Sequence, residues 1–172
     1  MLAATICSGE TKTDEPWAIY GVDTPMTRLM GNHYKIPEIT VVSVGQEMHY
    51  TDDVSVCLYL ASAAGVDPYK ITKWRKEAKS WMEIMDKIKF HPARLFTNAG
   101  TYTVPEAYRH AYGEYLKFNS NKNYKMTLYD KEVRNLVQLK FLVTRFKKSP
   151  LSVMNRRNAG EDFTKMILEN IQ

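Results

Sequence analysis

Apolar residues recur at helical spacing through the middle of this chain. Val54, Cys57, Leu58 and Ala61 step by three, one and three behind the polar cluster Thr51-Asp52-Asp53, which reads as a helix start. Gly65 supplies the left-handed stop, Asp67 the next cap, and Pro68 a first-turn proline. Ile71, Trp74, Ala78, Trp81 and Met85 then step by three and four, predicting one helix over 68–86 with a single buried stripe. Lys70, Lys73, Arg75, Lys76 and Lys79 fall off that stripe and are expected to face outward. Two helices around a short glycine turn, the second basic on its free side, outline a helix-turn-helix.

Two stretches read differently. Pro37 introduces the β-branched run Ile39 to Val44, which predicts a strand, with Gly45-Gln46 as a turn and Glu47 to Tyr50 returning. Phe90 to Thr97 predicts a further strand, Asn98-Ala99-Gly100 a turn, and Thr101 to Val104 the return. Such a hairpin stands where a wing would follow the second helix. Pro105-Glu106 then opens a helix packed through Ala107, Tyr108, Ala111, Tyr112 and Tyr115. After a polar linker at 119–125, Asp130 to Lys148 is amphipathic, with Val133, Leu136, Val137, Phe141 and Phe146 inward. Ser149-Pro150 breaks it, 155–158 reads as an exposed basic loop, and Glu161 to Gln172 as a last helix. Residues 1–16 read as a loose arm and 17–36 as turns around a short helix. The expected fold is α+β: a small winged helix-turn-helix core with a β-hairpin wing, plus C-terminal helices. It divides as an N-terminal segment 1–38, a core 39–118 and a helical extension 119–172.

Composition changes the picture little and charge changes it more. The chain has 172 residues and is 44% apolar, enough to build a core. It contains no apolar run of about 18 residues, so no membrane span is expected. The first ten residues lack the basic region of a signal peptide. Two cysteines in unrelated contexts, Cys7 and Cys57, suggest a reduced, intracellular setting. Net charge is +5, but residues 1–68 hold 3 Lys and Arg against 9 Asp and Glu, whereas residues 69–172 hold 21 against 10. A basic second part suits a surface that neutralises phosphates.

Motifs for enzymatic chemistry are missing. The sequence has no phosphate-binding glycine loop, no dinucleotide fingerprint, no nucleophile elbow and no zinc helix. His33, His49, His91 and His110 stand apart from one another and from cysteines, so neither metal nor cofactor is expected. Asp52 and Asp53 with Glu47 could hold Mg²⁺ for a nuclease, but acid pairs at a helix start more often serve as caps. The helical spacing of Trp74, Trp81, Tyr102, Tyr108, Tyr112 and Tyr115 argues for core rather than base stacking.

The order of these elements, with Leu60 to Gly65, then Lys73-Trp74, then Gly100-Thr101-Tyr102-Thr103-Val104-Pro105-Glu106-Ala107, resembles the KilA-N domain of phages and large DNA viruses. The fungal APSES domain is similar. The resemblance covers roughly 39–118 and implies double-stranded DNA as partner. Asp52-Asp53-Val54 stand where that family has an Asn-Ala pair, and Tyr102 where it has tryptophan. On this reading Tyr69, Lys70, Thr72, Lys73, Arg75, Lys76 and Lys79 of the second helix meet DNA, Arg75 being the candidate for bidentate contact with guanine. Lys89 and Arg94 anchor the wing, and Arg156 and Arg157, with Lys147 and Lys148, extend the track. The C-terminal helices could pair two copies. The alternative is a viral or phage effector that grips a host protein through the same fold and its C-terminal helices, and a nucleic-acid enzyme stands third.

Overall fold

The computed structural model describes residues 21, 24–48, 50–98 and 103–171. Among them are nine α-helices, one 3-10 turn and no strand: α1 (Pro25–Tyr34), α2 (Glu38–Glu47), α3 (Thr51–Ala64), α4 (Pro68–Lys76), α5 (Trp81–Lys87), the 3-10 turn Pro92–Leu95, α6 (Glu106–Ser120), α7 (Asp130–Phe146), α8 (Pro150–Asn158) and α9 (Phe163–Leu168). The fold is all-α, which overturns the expected α+β class and its β-hairpin wing.

The first predicted strand is α2. Val41, Val42, Val44 and Gly45 are buried while Ile39 is exposed, which is one face of a helix and not the alternation of a strand. The Pro37 carbonyl accepts the amides of Thr40 and Val41 and starts the turn. Helix propensity disfavours β-branched residues by only a few tenths of a kcal/mol each, and burial of three valines exceeds that.

The second predicted strand is a capped turn. Lys89 ends α5 in the left-handed region at φ 56°, and the Phe90 amide reaches back to the Met85 carbonyl. His91 Nδ1 then accepts the Ala93 amide at 3.2 Å, and Pro92 opens the 3-10 turn. Phe90, Leu95 and Phe96 enter the core from this irregular backbone. Thr103 and Val104 are not in a strand, and Ala99 to Tyr102 lie outside the described residues, as do the arm at 1–16 and His49 of the supposed returning strand.

The predicted long helix over 68–86 is two helices. Ala78 sits at φ 57°; its amide donates to the Arg75 carbonyl, and the Lys79 amide to the Trp74 carbonyl at 3.2 Å. That pairing is a Schellman stop. Ser80 begins again: its hydroxyl accepts the Glu83 amide, and the Glu83 carboxylate accepts the Ser80 amide at 2.7 Å, a capping box. Upstream, the predicted glycine stop holds, with Gly65 at φ 65°, and Asp67 Oδ1 accepts the Tyr69 amide at 3.0 Å. Residues 155–158, expected as a loop, are the last turns of α8.

One hydrophobic cluster runs from Met26 to Ile167. Its centre is the packing of α3 on α7, the most extensive in the fold. Val56, Cys57, Leu58 and Leu60 from one side and Val133, Leu136, Leu139, Phe141 and Leu142 from the other are buried. The Cys57 thiol lies against the Pro68 carbonyl and the Thr72 hydroxyl, and burial pushes it up to about 12, so it is inert at neutral pH. No described helix is long and apolar enough to cross a membrane.

Candidate nucleic-acid interface

The two acids at the start of α3 decide which basic residues remain for a partner. Asp53 is 3% exposed. Its carboxylate accepts Trp81 Nε1 at 3.0 Å, Arg75 Nε at 3.2 Å, and both Nε (2.6 Å) and an Nη (3.2 Å) of Arg134. Asp130 completes the knot: its carboxylate pairs with an Arg75 Nη at 2.6 Å and accepts the Trp81 amide at 2.8 Å. Arg75 further donates to the Lys79 carbonyl and lies 4.7 Å from the Trp81 ring centroid. A buried carboxylate demands such partners, since an unpaired charge in the interior costs several kcal/mol. The knot joins the start of α3 to α4, α5 and α7.

Asp52 behaves similarly. Arg157 donates to its Oδ2 at 3.0 Å, to Asn135 Oδ1, and to the Glu161 carbonyl. Arg156 is held by Glu161 and Glu169. Lys76 pairs with Glu47 at 3.0 Å, both side chains being partly solvated.

The DNA-contact residues read from sequence therefore separate. Arg75, Arg156 and Arg157 are engaged inside the molecule, and Thr72 is wholly buried, donating to the Pro68 carbonyl. Arg75 was expected to face outward, but its Nε and one Nη are taken by Asp53, Asp130 and the Lys79 carbonyl, and its side chain is largely withdrawn from solvent. Lys70, Lys73 and Lys89 are exposed with no acid at ion-pair distance among the described residues, and Tyr69 is 43% exposed beside them. Lys79 is half-buried just past the helix break. Arg94 is exposed on the 3-10 turn rather than on a wing; it lies 4.5 Å from the Phe90 ring centroid and donates to the Ala63 carbonyl at 3.3 Å.

The free lysines of α4 border a groove of about 470 Å³. Half-buried Val66, Trp74 and Ile88 form its floor, and exposed Lys70, Lys73, Lys87 and one acid, Glu77, its rim. Lys87 Nζ stands 5.6 Å from the Trp74 ring centroid. Beyond Val66 a second cleft, bordered by Lys35, Ser62 and Asp67, runs under the same turn. Farther round, Lys140 donates to the Arg94 carbonyl at 2.9 Å; its ammonium is held below its usual value by burial and by the Arg94 guanidinium. Burial, then Arg145 and Lys35, does the same to His33. The end of the molecule where α3 finishes is thus rich in cations without acid partners, and the end where α3 begins holds the paired acids. Bases at the C-terminal end of α3 also suit its dipole.

Sequence reasoning missed three contributors to this surface. Trp74 was read as core rather than as a stacking surface, and neither Lys87 nor Lys140 was among the residues expected to meet DNA. The signal for the first two was present in Ser80-x-x-Glu83, a capping-box pattern that restarts the helix and brings Lys87 back over Trp74. Among the described residues no group of three or more His, Cys, Asp or Glu is placed to hold a metal ion. No protein-family model matches this chain, and searches of curated proteins and of solved structures return no match.

Proposed function

We propose that this protein binds nucleic acid through the phosphate backbone, using the lysine face of α4, with little reading of base sequence. The observation that carries this is the division of the basic residues. Lys70 and Lys73 stand exposed on α4 without acid partners, while Arg75, the only arginine of that helix, is spent on Asp53 and Asp130. Lysine ammonium groups attract phosphate as point charges, whereas bidentate reading of guanine needs a free guanidinium edge. Arg94, Lys35 and Lys140 widen the positive end of the molecule around the same turn. The resemblance to KilA-N domains points to the same ligand class, though without the hairpin that resemblance implies.

The test is a salt titration of binding to a random-sequence DNA duplex. The slope of log K against log salt measures the phosphates engaged, at about one unit per contact. The double variant Lys70→Gln, Lys73→Gln should lower that slope by about 2 and weaken binding at least tenfold near 100 mM salt. Its thermal unfolding should not change, because neither side chain is buried. Binding that is indifferent to salt, or equal in the double variant, would contradict the proposal and favour a protein partner.

A further inference from the structure

The groove beside the α4 lysines has an aromatic floor that phosphate binding does not use. We infer that Trp74 is a stacking platform for an unpaired nucleobase, so that the favoured ligand is a single strand rather than a closed duplex; this rests on the phosphate-binding reading above.

Three observations combine. Trp74 is half-buried and lines the groove instead of closing into the core as Trp81 does. Lys87 Nζ, from α5, stands 5.6 Å from the indole centroid, so the ring's groove-side face is held by a mobile cationic side chain that a stacked base with its phosphate would displace. Lys70 lies four positions before Trp74 and shares its helix face, and Lys73, on the adjoining face, lines the same groove, so both ammonium groups are available to the phosphates of a stacked nucleotide. The groove, of about 470 Å³, is shallow and open on one side, and is large enough to seat a base against its apolar floor. Charge complementarity selects the occupant: three lysines against one acid, Glu77, suit an anionic strand and not a neutral aromatic ligand. In a duplex the base faces are covered by their neighbours, so the indole could take a base only from an unpaired strand.

The deciding experiment compares a dye-labelled oligo-dT 12-mer with a 12-mer of the same phosphates and no bases, by fluorescence anisotropy at about 50 mM salt. The base-bearing strand should bind about tenfold tighter or more, the usual scale for loss of one aromatic stack. Trp74→Leu, which keeps an apolar side chain over the core, should abolish that difference and leave affinity for the abasic strand unchanged. Equal binding of the two strands by the unmodified protein overturns the inference, whether or not the variant folds. If a random duplex and both strands all fail to bind, the phosphate-binding reading itself falls.

Discussion

Asp53 and Arg75 show how far a single side chain can differ from its position on a helical wheel. Spacing places Arg75 off the apolar stripe, yet it is largely withdrawn from solvent because a buried carboxylate from α3 reaches it. Nothing local in the sequence links position 53 to positions 75 and 134, so this partnership was illegible, while Lys70 and Lys73, which have no such partner, were read correctly as outward. Arg75→Ala should cost about 3 kcal/mol of stability, the lower end for breaking a buried pair, because Arg134 remains on Asp53. Urea unfolding of that variant checks it, and a loss below about 1 kcal/mol would remove the knot from the list of structural supports. Glu114 gives a pH signature. Burial alone would raise its carboxyl, but the Lys117 ammonium at 2.8 Å, the Thr127 amide and the Tyr124 hydroxyl outweigh this and hold it at about 2, against an ordinary 4.5. A depressed carboxyl stabilises the fold above its unfolded value and loses that contribution as pH falls towards 2. Glu114→Gln should therefore flatten the decline of stability between about pH 4.5 and 2 relative to the unmodified chain, read by urea midpoints across that window.

At the level of elements, boundaries marked by glycine or proline before a helix-period pattern were legible and stops made by other residues were not. Asp67-Pro68 and Pro105-Glu106 open α4 and α6 where their chemistry indicates, and Gly65 closes α3. Four other turns of direction use a left-handed residue that is not glycine: Lys35, Ala78, Lys89 and Lys147. Without glycine, the break between α4 and α5 was marked only by the Ser80-x-x-Glu83 restart, and the turn after α5 carried no such mark. A long helix and a strand were read in their place. The strand reading of 39–44 failed for a different reason: β-branched composition outweighed a burial pattern that a helix satisfies. Ala78 is exposed and carries the left-handed cost of roughly 1–2 kcal/mol, which glycine does not. Ala78→Gly should accordingly raise stability by about 1 kcal/mol, seen as a higher thermal midpoint. A lower midpoint would show that glycine's unfolded-state entropy dominates at this site.

For the molecule as a whole, the contrast between an acidic first part and a basic second part turns out to be partly an internal matter. Asp53 takes Arg75 and Arg134, Asp52 takes Arg157, and Glu47 takes Lys76, so acids from the first 68 residues neutralise bases from the rest. The sequence-level charge was a sound guide to a basic surface but overstated its extent, and it could not say that the free cations gather where α3 ends. The candidate site was legible in its lysines and in its helix turn; its tryptophan floor depended on a helix break hidden in an alanine. The C-terminal helices, read as an appendage, include α7, which packs on α3 at the centre of the core.

The Asp53 knot also bears on how this protein could change over generations. Asp53, Arg75, Trp81, Asp130 and Arg134 satisfy one another, so a substitution at any one takes a partner from at least one of the others. Drift at these positions is therefore expected to be slow or concerted, whereas the rim lysines can shift along the groove edge at little cost to the fold. A remote relative would be recognised by that five-residue set retained, or replaced together by apolar side chains, more securely than by the count of lysines on its surface.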